Sequence, residues 1–211
     1  MNLPTASGSL VAAARPDVNS DWSLGLPVLR GDAVTLREPV TADAAALFAR
    51  VNTREVIKYL SPPPDSPDAF ERFIEWVRAE REAGRSFCYA VVPDGEPKAV
   101  GLFQVHRLDS GFTSAEWGFV LARPWWGTGL FDRCATTLLD FLFGPIGVRR
   151  LEARAVADNP RANGVLRRIG AVPEGRLRRS FLLGGQYHDD VLWSMLDEDW
   201  KRARAQQRPS A

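Results

Sequence analysis

The chain has 211 residues, 45% hydrophobic and 25% charged, with 27 Lys and Arg against 26 Asp and Glu. That length favours one domain with a real core, and that charge balance makes no general case for nucleic acid or an anionic membrane. Two cysteines and two histidines, none at ligand spacing, argue against a disulfide framework and a zinc site, and no apolar run reaches the roughly 18 residues of a membrane span.

The first residues, MNLPTASGSLVAAARPD, carry no basic group before their short apolar patch, which argues against a secretory signal. Their Ala, Ser, Gly and Pro content reads as a mobile tail over residues 1–27, ahead of a single domain over 28–205 and a short C-terminal tail over 206–211. The default compartment is a reducing cytoplasm. The stretch AVTLREP (Ala33–Pro39) alternates and predicts a strand. Thr41 to Asp43 offers caps for a helix carrying Ala45, Leu47 and Phe48, and Val56 to Leu60 reads as a second, short helix. Ser61–Pro67 is a loop by its prolines. Apolar residues at 70, 73, 74 and 77 give a helix from Pro67 to Ala83, stopped by Gly84.

Phe87–Val92 and Ala99–Arg107 read as strands joined by the turn PDGEPK. Ser114–Leu121 follows as a strand with Trp117, Phe119 and Leu121 on one face and Glu116, Gly118 and Val120 on the other. After Gly129 a helix carries Leu130, Cys134, Leu138 and Leu142 at i+4 spacing, and Gly144-Pro145 ends it. Arg150–Ala157 is a strand. Asn159-Pro160 starts the next helix, with Pro at its first position, and Gly170 closes it. Strands around Val172–Arg178 and His188–Leu196, turning at Gly184-Gly185, complete the order. Adjacent strands plus one strand–helix–strand unit predict an α+β domain with a mixed sheet.

One turn stands out. A strand ends at Leu121, Gly127 and Gly129 follow, and a helix begins. The first N–H groups of a helix lack partners, the helix dipole adds positive charge, and glycines let an anion approach the backbone. No Gly-Lys-Ser/Thr follows, so it is not a P-loop. Asp132 stands where a dinucleotide fingerprint carries its third Gly. An ordinary structural turn explains the same residues, and the turn alone does not decide between them.

Three stretches in order decide more. AEWGFVLARPWWGTGLF (Ala115–Phe131), DNPRANGVLRRIGAVPEGRLR (Asp158–Arg178) and GGQYHDDVLWSMLDEDW (Gly184–Trp200) resemble successive motifs of the GNAT superfamily of acetyl-CoA-dependent N-acetyltransferases, in its RimJ/RimL branch. The resemblance runs from about Pro27 to Trp200. It implies a mixed, mostly antiparallel twisted sheet of about seven strands flanked by helices. It also implies acetyl transfer from acetyl-CoA to a primary amine, on a protein N-terminus or a small molecule, by direct attack in a ternary complex.

The resemblance assigns roles by position. The backbone of Phe119, Val120 and Leu121 bonds the pantetheine arm, and N–H groups from Trp126 through Gly127, Thr128, Gly129 and Leu130 bind the pyrophosphate. Asn159 matches the Asn that bonds a pantetheine amide, although it is equally placed to cap its helix. Arg161 and Arg168 ride that helix as candidates for the 3′-phosphate. Two places depart from the pattern. Pro124 stands where the family has Gln or Arg, with Arg123 one residue early. Leu166 stands where many members carry a Tyr that protonates the leaving thiolate. Tyr187, Ser180 or a water are the substitutes. Glu116, in a strongly apolar strand, is the choice for base, with Asp189 and Asp190 behind it. Trp125 and Trp126 read as packing, and Cys88 and Cys134 as core. No metal, nucleic acid or membrane enters this reading, and a homodimer is compatible with it. The alternative is a non-catalytic acyl-CoA-binding module, for which Leu166 is the main argument.

Overall fold

The computed structural model describes residues 22–207. Eight strands form one sheet in the order β1-β2-β3-β4-β5-β6-β8-β7. They are β1 (Leu29–Gly31), β2 (Val34–Arg37), β3 (Ser86–Pro93), β4 (Gly101–Arg107), β5 (Ser114–Leu121), β6 (Arg150–Val156), β7 (Val172–Leu183) and β8 (Gln186–Leu196). Every neighbouring pair is antiparallel except β5 with β6. A parallel pair needs a crossover, and α4 (Leu130–Phe141) supplies it. The sheet therefore has one strand more than the sequence suggests. Three-residue β1 is too short to show alternation, and it pairs with β2 through a tight turn.

The two faces of the sheet are covered differently. On one, α1 (Ala44–Val51), α2 (Arg54–Ile57) and α3 (Pro67–Glu82) pack Leu47, Val56, Phe70 and Ile74 against Cys88, Ala90 and Leu102. On the other, α4 and α5 (Pro160–Arg168) pack Leu138, Leu139 and Leu166 against Phe103, Trp117, Leu151 and Trp193. The alternation along β5 sends Trp117, Phe119 and Leu121 to the second face and Val120 to the first. Both cysteines are buried, and burial pushes each thiol up to about 12.

Two readings are corrected at the ends. Residues 22–27 are not a tail: Trp22 packs against Phe87 and Phe112, and the Tyr89 hydroxyl donates to the Pro27 carbonyl at 3.0 Å. A bulky indole in a Ser/Gly/Pro-rich stretch outweighs the composition around it. Beyond Leu196 the chain forms α6 (Asp197–Gln207), held by the Trp200 indole and Arg204 on Asp140. Its weak apolar periodicity hid it, and it runs into residues assigned to the C-terminal tail. Residues 1–21 and 208–211 lie outside the described part. No helix in that part is long and apolar enough to cross a membrane.

Candidate active site

Strands β5 and β6 pair at only three rungs, Ser114–Arg150, Ala115–Leu151 and Glu116–Glu152, and then part. From Trp117 to Leu121 one edge of β5 stays bonded to β4 while the other faces a gap inside the sheet. An unpaired edge offers N–H and C=O groups that an extended ligand can take, as an added strand would. The gap opens into a cleft of about 550 Å³, lined on the β5 side by Phe119, Val120 and Leu121 and on the β6 side by the first turns of α5.

The glycine turn closes one end of this cleft. Gly127 and Gly129 have φ of +74° and +79°, a left-handed geometry that other residues adopt only under strain. Gly129 caps α4. Among the described residues, no acceptor meets the backbone N–H groups of Gly127, Thr128 and Gly129. Together with the first turn of α4 they form a cluster of unpaired donors at a dipole's positive end, a cradle for an oxyanion. The span is narrower than the sequence implies. The Trp126 amide donates to the Arg123 carbonyl at 3.1 Å, and the Leu130 amide donates to the Thr128 hydroxyl at 3.3 Å. Short-range turn geometry uses up both ends. Asp132, an apparent obstacle to an anion, is held by a bidentate bond from Arg168 at 2.9–3.1 Å. That pairing commits Arg168 and leaves Arg161 as the α5 cation at the cleft.

Trp126 joins the parts. Its indole N–H donates to the Leu121 carbonyl at 2.8 Å, which ends the free edge of β5, and Arg161 lies over its ring. Trp125 and Trp126 are both half-buried against the core and both line the cleft. Asn159 caps α5, its Oδ1 accepting from the Ala162 amide at 3.1 Å, and it also lines the cleft. Capping engages only the oxygen, so the amide NH₂ is left for a ligand carbonyl. The loop carrying Asn159 is tied down by a residue that the sequence reading did not single out. Asn163 is buried, its amide NH₂ donating to the Val156 and Asn159 carbonyls and its Oδ1 accepting from the Trp193 indole at 2.9 Å. An Asn on a helix face otherwise apolar was the available signal.

Glu116 does not line the cleft. It stands on the last paired rung, at the vertex where the strands part, on the sheet face opposite α4. It is partly exposed, 3.6 Å from the Arg154 guanidinium, and in register with His106. Burial holds His106 below its ordinary value, and Glu116 and Glu80 pull it back up. Tyr187 is 63% exposed on the β7–β8 hairpin and is not part of the cleft wall. Ser180 is bonded to Asp190 at 2.9 Å, and Asp189 accepts from the Arg179 amide and Arg176, so these groups brace the hairpin. Leu166 is buried in the core beneath the cleft. Arg123 and Pro124 stand outside, at a second hollow that shares Glu55, Tyr59, Trp126, Asn159, Pro160 and Arg161 with the cleft. The opposite wall comes from α2 and the residues after it: Glu55, Val56, Tyr59 and Leu60. Nothing in a four-residue helix announces that placement, which depends on how α2 docks on Val120. Among the described residues no group of His, Cys, Asp or Glu could hold a metal ion.

Comparison with known proteins shows the family and the fold. The Acetyltransferase (GNAT) domain profile matches residues 33–172. The chain is similar to the spermidine N(1)-acetyltransferase of Vibrio cholerae, 26% identical over 157 residues, covering 74% of this chain and 88% of the relative. It is similar to the [ribosomal protein uS5]-alanine N-acetyltransferase of Escherichia coli, 22% identical over 139 residues, covering 65% of this chain and 72% of the relative. In fold it is similar to the crystal structure of Mycobacterium smegmatis RimJ, with a TM-score of 0.74, 24% identity, and coverage of 86% and 94% of the two chains.

Proposed function

The chain belongs to the GNAT acetyltransferase family and transfers an acetyl group from acetyl-CoA to an amine, and we propose that the cleft between β5 and β6 is where it does so. In this reading the pyrophosphate sits on the amides of Gly127, Thr128 and Gly129. The pantetheine arm lies along the free edge of β5 at Phe119 and Val120, with Asn159 on its other side and Arg161 at the mouth. The observation that carries the reading is the coincidence of three groups of unpaired backbone or amide donors in one cleft.

The arm's length of travel along β5 brings the thioester toward the vertex, where Glu116 stands. The acceptor amine approaches on the face of Glu116 and Gly118, where a glycine with open space beside it leaves room. Glu116 takes the amine's proton, directly or through one water. A β5 amide near Val120 donates to the thioester oxygen as it becomes negative; such a donor is worth roughly 3 kcal/mol in acyl transfer. Attack is direct, so no enzyme nucleophile is needed. Proteins similar to this one act on a ribosomal protein and on spermidine, and the acceptor proposed here is a primary amine of either kind.

The test is release of free thiol from acetyl-CoA with a panel of amines, from alanine-initiated peptides to spermidine. Turnover that depends on one class of amine supports the reading and names the class. Tight binding of coenzyme A with no thiol release by any amine would instead indicate a non-catalytic acyl-CoA-binding module.

A further inference from the structure

We propose that Tyr59 is the general acid that protonates the departing thiolate, an inference that rests on the reading of the cleft just given. The family's usual donor is absent, because Leu166 occupies its place and is buried in the core. The chain has three tyrosines. Tyr89 is buried and spends its hydroxyl on the Pro27 carbonyl. Tyr187 lies on the exposed hairpin. Tyr59 alone lines the cleft, and among the described residues its hydroxyl has no hydrogen-bond partner.

The remaining side chains of the wall point the same way. Asp132 and Arg168 are bonded to each other, and Arg161 is stacked on the Trp126 ring. A phenol keeps its proton at neutral pH and exchanges it with a thiolate at similar cost. Tyr59 is also well supported. It follows α2 and precedes Leu60 and three consecutive prolines, Pro62 to Pro64, which stiffen the chain. Val56 and Leu60 pack with Val120 and Trp126, anchoring this segment against the end of β5. The Lys58 ammonium lies 4.9 Å from the centre of the Tyr59 ring, a cation–π contact that helps hold the ring in place.

In the step itself the amine nitrogen bonds to the thioester carbonyl carbon and the carbon–sulfur bond breaks, its electron pair going to sulfur. The Tyr59 hydroxyl proton passes to that sulfur, giving free coenzyme A. The phenolate recovers a proton from water, and the proton released by the amine leaves through Glu116.

The experiment compares wild type, Tyr59→Phe and Tyr187→Phe in kcat, acetyl-CoA KM and the pH profile of kcat, with thermal unfolding as a check on folding. Phe keeps the ring and its packing. The proposal expects Tyr59→Phe to lower kcat by at least about a hundredfold, the lower end of the usual range for loss of a general acid. KM should stay within about twofold, and the variant should lack the decline of kcat at high pH that the proposal expects of wild type. Tyr187→Phe should behave as wild type. A smaller loss of kcat, a loss matched by a rise in KM, or a high-pH decline that survives in Tyr59→Phe overturns the proposal. A wild type that releases no thiol defeats the proposed function itself, which separates the two failures.

Discussion

The guanidinium of Arg161 lies 3.5 Å from the centre of the Trp126 ring, so the first turn of α5 is fastened to the glycine turn across the mouth of the cleft. Arg161 has no carboxylate partner among the described residues, which leaves its charge available to a phosphate. Arg161→Ala removes both the stack and the charge. It is expected to raise the acetyl-CoA KM about fivefold or more, since a cation–π contact contributes on the order of 1 kcal/mol. Arg161→Lys should fall between, because an ammonium keeps the charge and loses the flat stacking surface. Steady-state kinetics with acetyl-CoA varied checks both.

Gly127 and Gly129 are both left-handed, and a Cβ on Gly127 meets no atom within 4 Å. Alanine there is a test of backbone strain alone. Gly127→Ala should destabilise the turn by about 1–2 kcal/mol. Coenzyme A affinity should fall by roughly 5- to 30-fold, the same free energy expressed as a binding constant, read by titration calorimetry. Gly129→Ala should do at least as much, because its Cβ would also stand 3.3 Å from the Arg133 guanidinium.

Asn163 holds the Val156 and Asn159 carbonyls and the Trp193 indole from a buried position. Asn163→Ala strands those partners without solvent. It should lower stability by about 1–3 kcal/mol in urea unfolding, and it should weaken coenzyme A binding as the Asn159 loop loosens.

Asp43 is a further buried anchor, away from the cleft. Its carboxylate accepts a bidentate bond from Arg37 at 2.7 and 2.9 Å and takes the amides of Val40 and Ala99. Burial alone would raise its pKa, but Arg37 and the two amides together hold it below the ordinary carboxylate value. A depressed carboxylate stabilises the fold above its unfolded pKa, near 4, and that contribution is lost as pH falls through the lower folded value. Asp43→Asn should therefore cost about 3 kcal/mol at neutral pH and show a shallower loss of stability on acidification than wild type. Thermal melts from pH 7 to 3 measure the difference.

Much of the fold was legible because its signals are local. β5 ends where its alternation ends, α4 starts at the capping Gly129, and α5 starts at Pro160 behind its Asn cap. Three-residue β1 and weakly amphipathic α6 lack enough periodicity to show. The cleft divides the same way. Gly127, Gly129, Asn159 and the β5 edge belong to motifs contiguous in sequence, so their positions could be read. Tyr59 and Glu55 reach the cleft only through the docking of α2 on the sheet, and the pairing of Arg168 with Asp132 joins residues 36 apart. Tyr187 lies off the cleft wall for the converse reason: a tyrosine near a family motif says nothing about which way a hairpin leans.

The account rests most heavily on Glu116 at the vertex of the parted strands. The direct measurement is the pH dependence of kcat/KM for the best amine, in wild type and in Glu116→Gln, which preserves size and removes the base. The expected result is a loss of roughly a hundredfold or more at neutral pH, partly recovered at higher pH as the free amine becomes abundant. Full turnover in Glu116→Gln, with an unchanged pH profile, would contradict it.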